Sequence, residues 1–415
     1  MAQNRKKVIY LPTVCCALLA LGAFLVPMQS YAYADEDESK WTLLVYYAGD
    51  NDLENDVEKT LSALEHFEGD EVQIVVMVDD LSPDGILLYE IKGGEHNLIT
   101  TWDEANTADP ATIKEFVEYG MSEYPSEKTM LIIKGYGFSW RGVCLDETSA
   151  NEIMPFDGLA DASTGKDIDL LMFDAERMSL LEIAYNLRDT AHYMLATQSI
   201  IPSDGIPYDL FLAKLVQNPG MSALTFAIEI MSSYITLYNN DFSTLTLCDL
   251  SEINGVGEAF CKLTDVFANI IGSYRFCVSP ARDASEIGLH NAIDDTEYLH
   301  DLYTFFDFLV TEKVIPEDDF QEAVEDLKEA ITVAVVGEVH SHRYRTVPHG
   351  LSFWFPPSKT RYTADDVTFN GEFIYEDCGL EIVSESSWVD CMMTYYSAPR
   401  GGAAHSYQKD RKPKR

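Results

Sequence analysis

The sequence predicts an α/β fold, with a mostly parallel β-sheet covered by helices on both faces. Short apolar runs rich in β-branched residues alternate with helical segments along the chain, the order a parallel sheet requires. Two of those runs, residues 130–133 and 168–173, are almost wholly apolar rather than alternating, as strands buried on both faces are. No internal repeat and no Pro/Ser/Gly linker interrupts residues 40–398, which argues for one domain with C-terminal elaboration.

Each element follows in order. Residues 41–48 read as the first strand from their β-branched and aromatic content. Asp50-Asn51-Asp52 then turns the chain into a helix over 53–67, with Asp52 as the N-cap. Residues 72–78 and 86–91 are the next strands, and 111–124 is a helix. The runs 130–133 and 168–173 are central strands, 180–187 is helical and 193–197 is a further strand. Beyond them come a helix at 223–238, a strand at 244–249 and helices at 256–271, 298–310 and 320–335. A strand at 351–356 is stopped by Pro356. Sites in such sheets lie at the carboxyl ends of strands. Tyr136 follows one central strand and Glu176 the other, so both are candidates.

The N-terminus carries its own signal. Arg5, Lys6 and Lys7 precede an apolar stretch over 8–28, and Ala32-Tyr33-Ala34 fits the small-x-small cleavage rule. Residues 1–34 therefore read as a secretory signal peptide. The stretch is long, which leaves an uncleaved anchor as the alternative. Either way the remainder is sent outside, so the expected location is secreted or on the extracellular face of the cell envelope. The domain proper runs over 35–398, and 399–415 is a basic tail expected to be disordered.

The formal charge is −40, and cleavage after Ala34 would remove three basic side chains and no acid. Such a chain repels nucleic acid and anionic lipid. It contacts a membrane only if the signal stays attached. Six cysteines remain after cleavage: Cys144, Cys248, Cys261, Cys277, Cys378 and Cys391. In an exported chain they permit up to three disulfides, with buried free thiols as the alternative. None has Cys-x-x-Cys spacing, so no structural zinc site is expected.

Two stretches carry chemistry. Gly135-Tyr136-Gly137-Phe138-Ser139-Trp140 follows the first central run, and Phe173-Asp174-Ala175-Glu176 ends the second. Both resemble the catalytic strand ends of the clostripain-like cysteine peptidases, which carry His-Gly-x-Gly-Trp at the first and Phe-Asp-Ala-Cys at the second. The opening stretch, Trp41 through Glu54, is similar to that family's first strand and turn. Leu351 to Pro356 looks like its closing strand, and residues 185–189 and 193–199 also resemble it. The resemblance covers roughly residues 41–396. It implies a caspase-like three-layer sandwich and a cysteine endopeptidase with Arg/Lys preference.

The resemblance also exposes a departure. The histidine position reads Tyr136 and the nucleophile position Glu176, while Ser139 stands at the second glycine of the loop. Amide hydrolysis of this kind needs a thiolate to attack and an imidazole to protonate the leaving amine. A carboxylate has no comparable nucleophilicity, and a phenol with an ordinary pKa near ~10 is a poor proton shuttle. No catalytic residue is therefore expected, and the chain reads as a proteolytically inactive homologue. Glu176 and Tyr136 are expected to fill the vacated site and bond each other. Two acids, Asp174 and Asp204, resemble those lining the family's pocket for basic side chains, which makes basic peptides or proteins the expected partners. The bland reading gives Asp174 to a helix start and Asp204 to a turn. Cys144 is the alternative nucleophile of a still active hydrolase, and a structural surface protein with a vestigial cleft is the third reading.

No cofactor is expected. Calcium is possible through the family resemblance, at an unassigned site. Asp50, Asp52, Glu54 and Asp56 alternate without calcium-loop spacing, and His340, His342 and His349 are interleaved with arginines, so no metal ligands are assigned. Some members of that family are processed after a basic residue between the histidine and cysteine segments; here the only basic residues between Trp140 and Asp167 are Arg141 and Lys166, which predicts a chain not processed there.

Overall fold

Thirteen strands build the described part of the chain. They are β1 (Trp41–Gly49), β2 (Val72–Asp80), β3 (Leu87–Lys92), β4 (Glu95–Thr101), β5 (Thr129–Lys134), β6 (Val143–Asp146), β7 (Glu152–Met154), β8 (Leu170–Asp174), β9 (Tyr193–Ala196), β10 (Thr244–Asp249), β11 (Leu299–Asp301), β12 (Val335–His340) and β13 (Ser352–Trp354). The structure is a computed structural model. It describes residues 39–399 apart from 66–68, 83–84, 203–204, 288–297, 313–314, 345–346 and 364–373. The signal segment, residues 400–415 of the basic tail and Asp204 lie outside the described residues.

Nine strands form one sheet in the order β12-β10-β9-β8-β5-β1-β2-β3-β4. Its centre, β9-β8-β5-β1-β2, is parallel, and antiparallel strands complete both edges. The side chains of β1 alternate between two cores, as a strand covered on both faces must. Leu44, Tyr46 and Ala48 join a core with the helices Pro110–Glu123, Phe156–Ser163 and Ile253–Ile270. Leu43, Val45 and Tyr47 join a second core with the helices Val57–Glu65, Tyr208–Gln217 and Ala223–Tyr238. This is the three-layer α/β sandwich with a mostly parallel sheet that the sequence predicts. No described helix is long and apolar enough to cross a membrane.

Several expected elements shift for identifiable reasons. The helix at 53–67 begins as a 3₁₀ turn, Asp52–Asp56, and becomes α-helical only at Val57–Glu65. Its N-cap is Asn51, whose side chain accepts from Leu53 N, and not Asp52. The segment at 298–310 divides into the short strand β11 and the helix Leu302–Thr311, capped by Asp301. The six described cysteines are all free thiols, four of them buried, so the disulfide alternative is not realised.

Candidate active site

The parallel register of β5 and β8 builds the site. Lys134 pairs with Asp174 at the end of that ladder, so Tyr136 and Glu176 each stand two residues past the same rung. The loops beyond the rung touch. A Cβ at Gly137 would sit 2.0 Å from the Glu176 carbonyl oxygen, so only glycine allows this approach. The loop then folds back on itself. Phe138 N donates to Gly142 O at 3.0 Å and Cys144 N to Tyr136 O at 2.9 Å. Trp140 anchors it, buried with its ring 5.1 Å from those of Trp354 and Tyr375. Ser139 adopts φ 59, the left-handed region that favours glycine, and its buried hydroxyl has no partner.

The Tyr136 hydroxyl donates to Asp52 Oδ1 at 2.6 Å. A phenol has one proton, so the expected bond from Tyr136 to Glu176 gives way to this one. Burial, then Asp52, then Glu176 push the Tyr136 pKa upward, which keeps it a neutral phenol. Asp52, freed from the capping role by Asn51, is thus the acceptor that sequence reasoning missed. The Glu176 carboxylate faces the Arg177 guanidinium at 3.7 Å.

Asp174 is not free. Its Oδ2 accepts from Lys134 Nζ at 2.8 Å and from the Tyr208 hydroxyl at 2.8 Å, and its Oδ1 accepts from Ile206 N at 3.3 Å. The Asp174 side chain is only 2% exposed and that of Lys134 12%. Lys134 Nζ also lies 5.4 Å from the Tyr47 ring centroid, within cation–π range. Lys134 was not singled out from the sequence, because a lysine closing an apolar strand reads as an ordinary boundary.

Cys144, the alternative nucleophile, is fully buried on β6, and burial pushes its thiol pKa well up. No basic group is among those acting on it. His192 is not near Glu176. It sits at the start of β9, at the other end of the sheet, 3.8 Å from Asp169. A groove lies at that other end too, lined by Lys166, Arg188, His192, Tyr193 and Asn254. The three histidines near the C-terminal strands diverge: His340 contacts Glu338, His342 Asn239 and His349 Asp301.

Residues 45–350 match the sequence profile of the clostripain family. The chain belongs to the clostripain family. Clostripain from Hathewaya histolytica is 25% identical over 228 residues, 44% of this chain, and the match spans only 43% of that relative's length. Two solved structures share the fold. A secreted C11 cysteine protease from Bacteroides thetaiotaomicron, in complex with an irreversible peptide inhibitor, superposes with TM-score 0.63 at 18% identity, covering 84% of this chain and 99% of its own. An inactive zymogen C11 protease from Parabacteroides distasonis gives TM-score 0.62 at 21% identity, covering 77% and 92%. The clostripain-family fold thus places Tyr136, Glu176, Asp174 and Lys134 at one sheet end.

Proposed function

We propose that this clostripain-family chain is exported and does not cleave peptides. The observation that carries this is the pairing of Tyr136 with Asp52 beside Glu176. A neutral phenol and a carboxylate occupy the two strand ends from which a histidine and a thiolate would have to act. Cys144 offers no replacement, being buried, protonated and without an imidazole to activate it. The apolar segment behind Arg5-Lys6-Lys7 supports export, as does the secreted state of the Bacteroides thetaiotaomicron relative.

The basic-peptide reading takes a specific form. Asp174 holds an ammonium already, that of Lys134, so an incoming Arg or Lys has to displace this chain's own cation. Recognition of basic segments through Asp174 is therefore latent in the native chain, and Asp204, read from the sequence alone, is the second acid assigned to the same role.

An irreversible cysteine-directed peptide inhibitor with Arg or Lys at its reactive end tests the non-cleaving reading. Incubated with the native chain and analysed by mass spectrometry, it is expected to leave every residue unmodified. Labelling of Cys144, or of any other residue in a time-dependent and saturable way, overturns the proposal.

A further inference from the structure

The chain has a formal charge of −40, yet one edge of its sheet is nearly free of net charge. β12 is the last strand of the nine-stranded sheet and pairs on one side only, with β10. Among the described residues, none of 336–340 makes a backbone bond outside that ladder. Val336 is 42% exposed, and no residue from Gly337 to His340 is fully buried. The one acid here, Glu338, lies 2.9 Å from the ring of His340.

The helix Ala223–Tyr238 shoulders this edge. It packs on both β10 and β12, and its two flanks differ. One flank faces the helix Tyr208–Gln217. There Glu229, the only charged residue of the helix, accepts from Lys214 Nζ at 2.7 Å, and Phe226 meets Phe211. Leu224, Ile228, Met231 and Ile235 form the other flank at helical spacing. A Cβ at Gly337 would meet the end of Met231 at 3.1 Å, so this apolar flank lies towards β12. Ile228 is 49% exposed on it. An open strand edge is a template for another strand, and copies of a chain this acidic can approach only where acids are absent or matched.

We propose that two copies of the chain pair edge to edge through β12, antiparallel about a two-fold axis, so that their sheets become one. Neighbouring strands lie ~4.8 Å apart. A helix seated over β10 and β12 would therefore stand two strand spacings, about 9.6 Å, from the same helix of the copy. Helices pack at ~8–10 Å. Ile228 and Ile235 of the two copies would fill that seam.

The register follows from sidedness and charge. An axis perpendicular to the sheet keeps the two helices on one side, so residues of the same face must oppose each other. Gly337 and Val339 face the helix Ala223–Tyr238, which turns Glu338 and His340 to the other face. Centring the pair on Glu338 would oppose two carboxylates. Centring it on Gly337 would run into Val336, the extra residue of a bulge that ends the regular ladder. Centring it on Val339 sets Glu338 of each copy opposite His340 of the other. The far edge of the sheet is a poorer template, because β4 carries its extra residue, Ile99, inside its length. The contact therefore closes at two copies.

The test is sedimentation equilibrium of the purified full chain. The expected result is a reversible monomer–dimer equilibrium, tightening at least about threefold between ~0.05 and ~0.5 M salt as the acidic copies are screened from each other. Ile228→Glu, at an exposed helical position, should weaken the dimer about tenfold or more and leave the circular dichroism spectrum unchanged. Val339→Cys should form an intermolecular disulfide on mild oxidation, because directly opposed residues bring their Cα atoms to ~4.5–5.5 Å. Leu98→Cys, on β4, should link at least about tenfold more slowly, having only random collision to rely on. Three results overturn the proposal. A monomer at every concentration would leave the edge to a different protein. A dimer undiminished by Ile228→Glu would place the contact elsewhere, as association through the apolar signal segment would. Linking at Leu98→Cys as fast as at Val339→Cys would move it to the opposite edge. Sedimentation of the native chain beside Ile228→Glu decides the matter even if Val339→Cys fails to fold.

Discussion

Lys134 and Asp174 face each other across the last rung of the β5–β8 ladder, Nζ to Oδ2 at 2.8 Å, both side chains nearly withdrawn from solvent. The pair closes the end of the sheet next to the candidate site, and it leaves the Asp174 carboxylate already matched by a cation of this chain.

Removing one member of a buried pair costs more than the pair contributes, because the survivor stays buried and uncompensated. Lys134→Met should destabilise the chain by about 3 kcal/mol, read as a shift in the denaturant midpoint. Asp174 keeps Tyr208 and Ile206 as partners, which holds the loss to the low end of that class. The double variant Lys134→Met/Asp174→Asn should recover part of the loss. If it is as unstable as the sum of its parts, the pair is not coupled.

The same Lys134→Met change frees the acid. Arg-containing peptides should bind this variant at least tenfold more tightly than the native chain in a calorimetric titration, and Asp174→Asn should erase the gain. Equal, weak binding by both chains would show that Asp174 does not face a peptide site.

Ser139 stores local strain. It is buried, its backbone is in the left-handed region and its hydroxyl is unsatisfied. Ser139→Gly relieves both penalties at the cost of a more flexible unfolded chain, for a net stabilisation of about 1 kcal/mol. A lower Tm for this variant would mean that the serine makes a contact the geometry does not reveal.

His300 governs an acid-side loss of stability. Burial first, and then Arg282, hold its pKa well below 6.5, while its ring nitrogens lie 3.1 Å from Arg282 O and 3.2 Å from Phe355 O. The unfolded chain takes up a proton here as pH falls through about 6.5, and the folded chain does not. The stability contributed by the neutral ring is therefore full above about 6.5 and lost as pH falls, by about 1.4 kcal/mol per pH unit until the depressed pKa is reached. Between pH 6.5 and 5 the native chain should lose more stability than His300→Asn does. Parallel profiles would rule the histidine out.

Much of this architecture was legible. The helix Ala223–Tyr238 and the strand β10 fall where their periodicity places them, and Tyr136 and Glu176 converge because each follows an apolar run that had to be a central strand. What stayed hidden lacks a local signal. β4 is largely exposed and has no apolar alternation, β6 and β7 are too short for a period, and β12 reads as the end of the preceding helix. Asn51 and Asp52 are both good caps, and only the turn geometry decides which one caps and which one meets Tyr136. Lys134 takes its meaning from a strand partner forty residues away, and strand register is not written in any one segment.

The central claim is that Tyr136 and Glu176 leave this clostripain-family chain without peptidase activity. The most direct measurement is cleavage of Arg and Lys reporter peptides by the native chain, with calcium and with chelator, beside a Glu176→Cys/Tyr136→His double variant. The account predicts no turnover by the native chain in either condition, whatever the double variant does. Turnover by the native chain, above a heat-inactivated control and proportional to protein concentration, would contradict it.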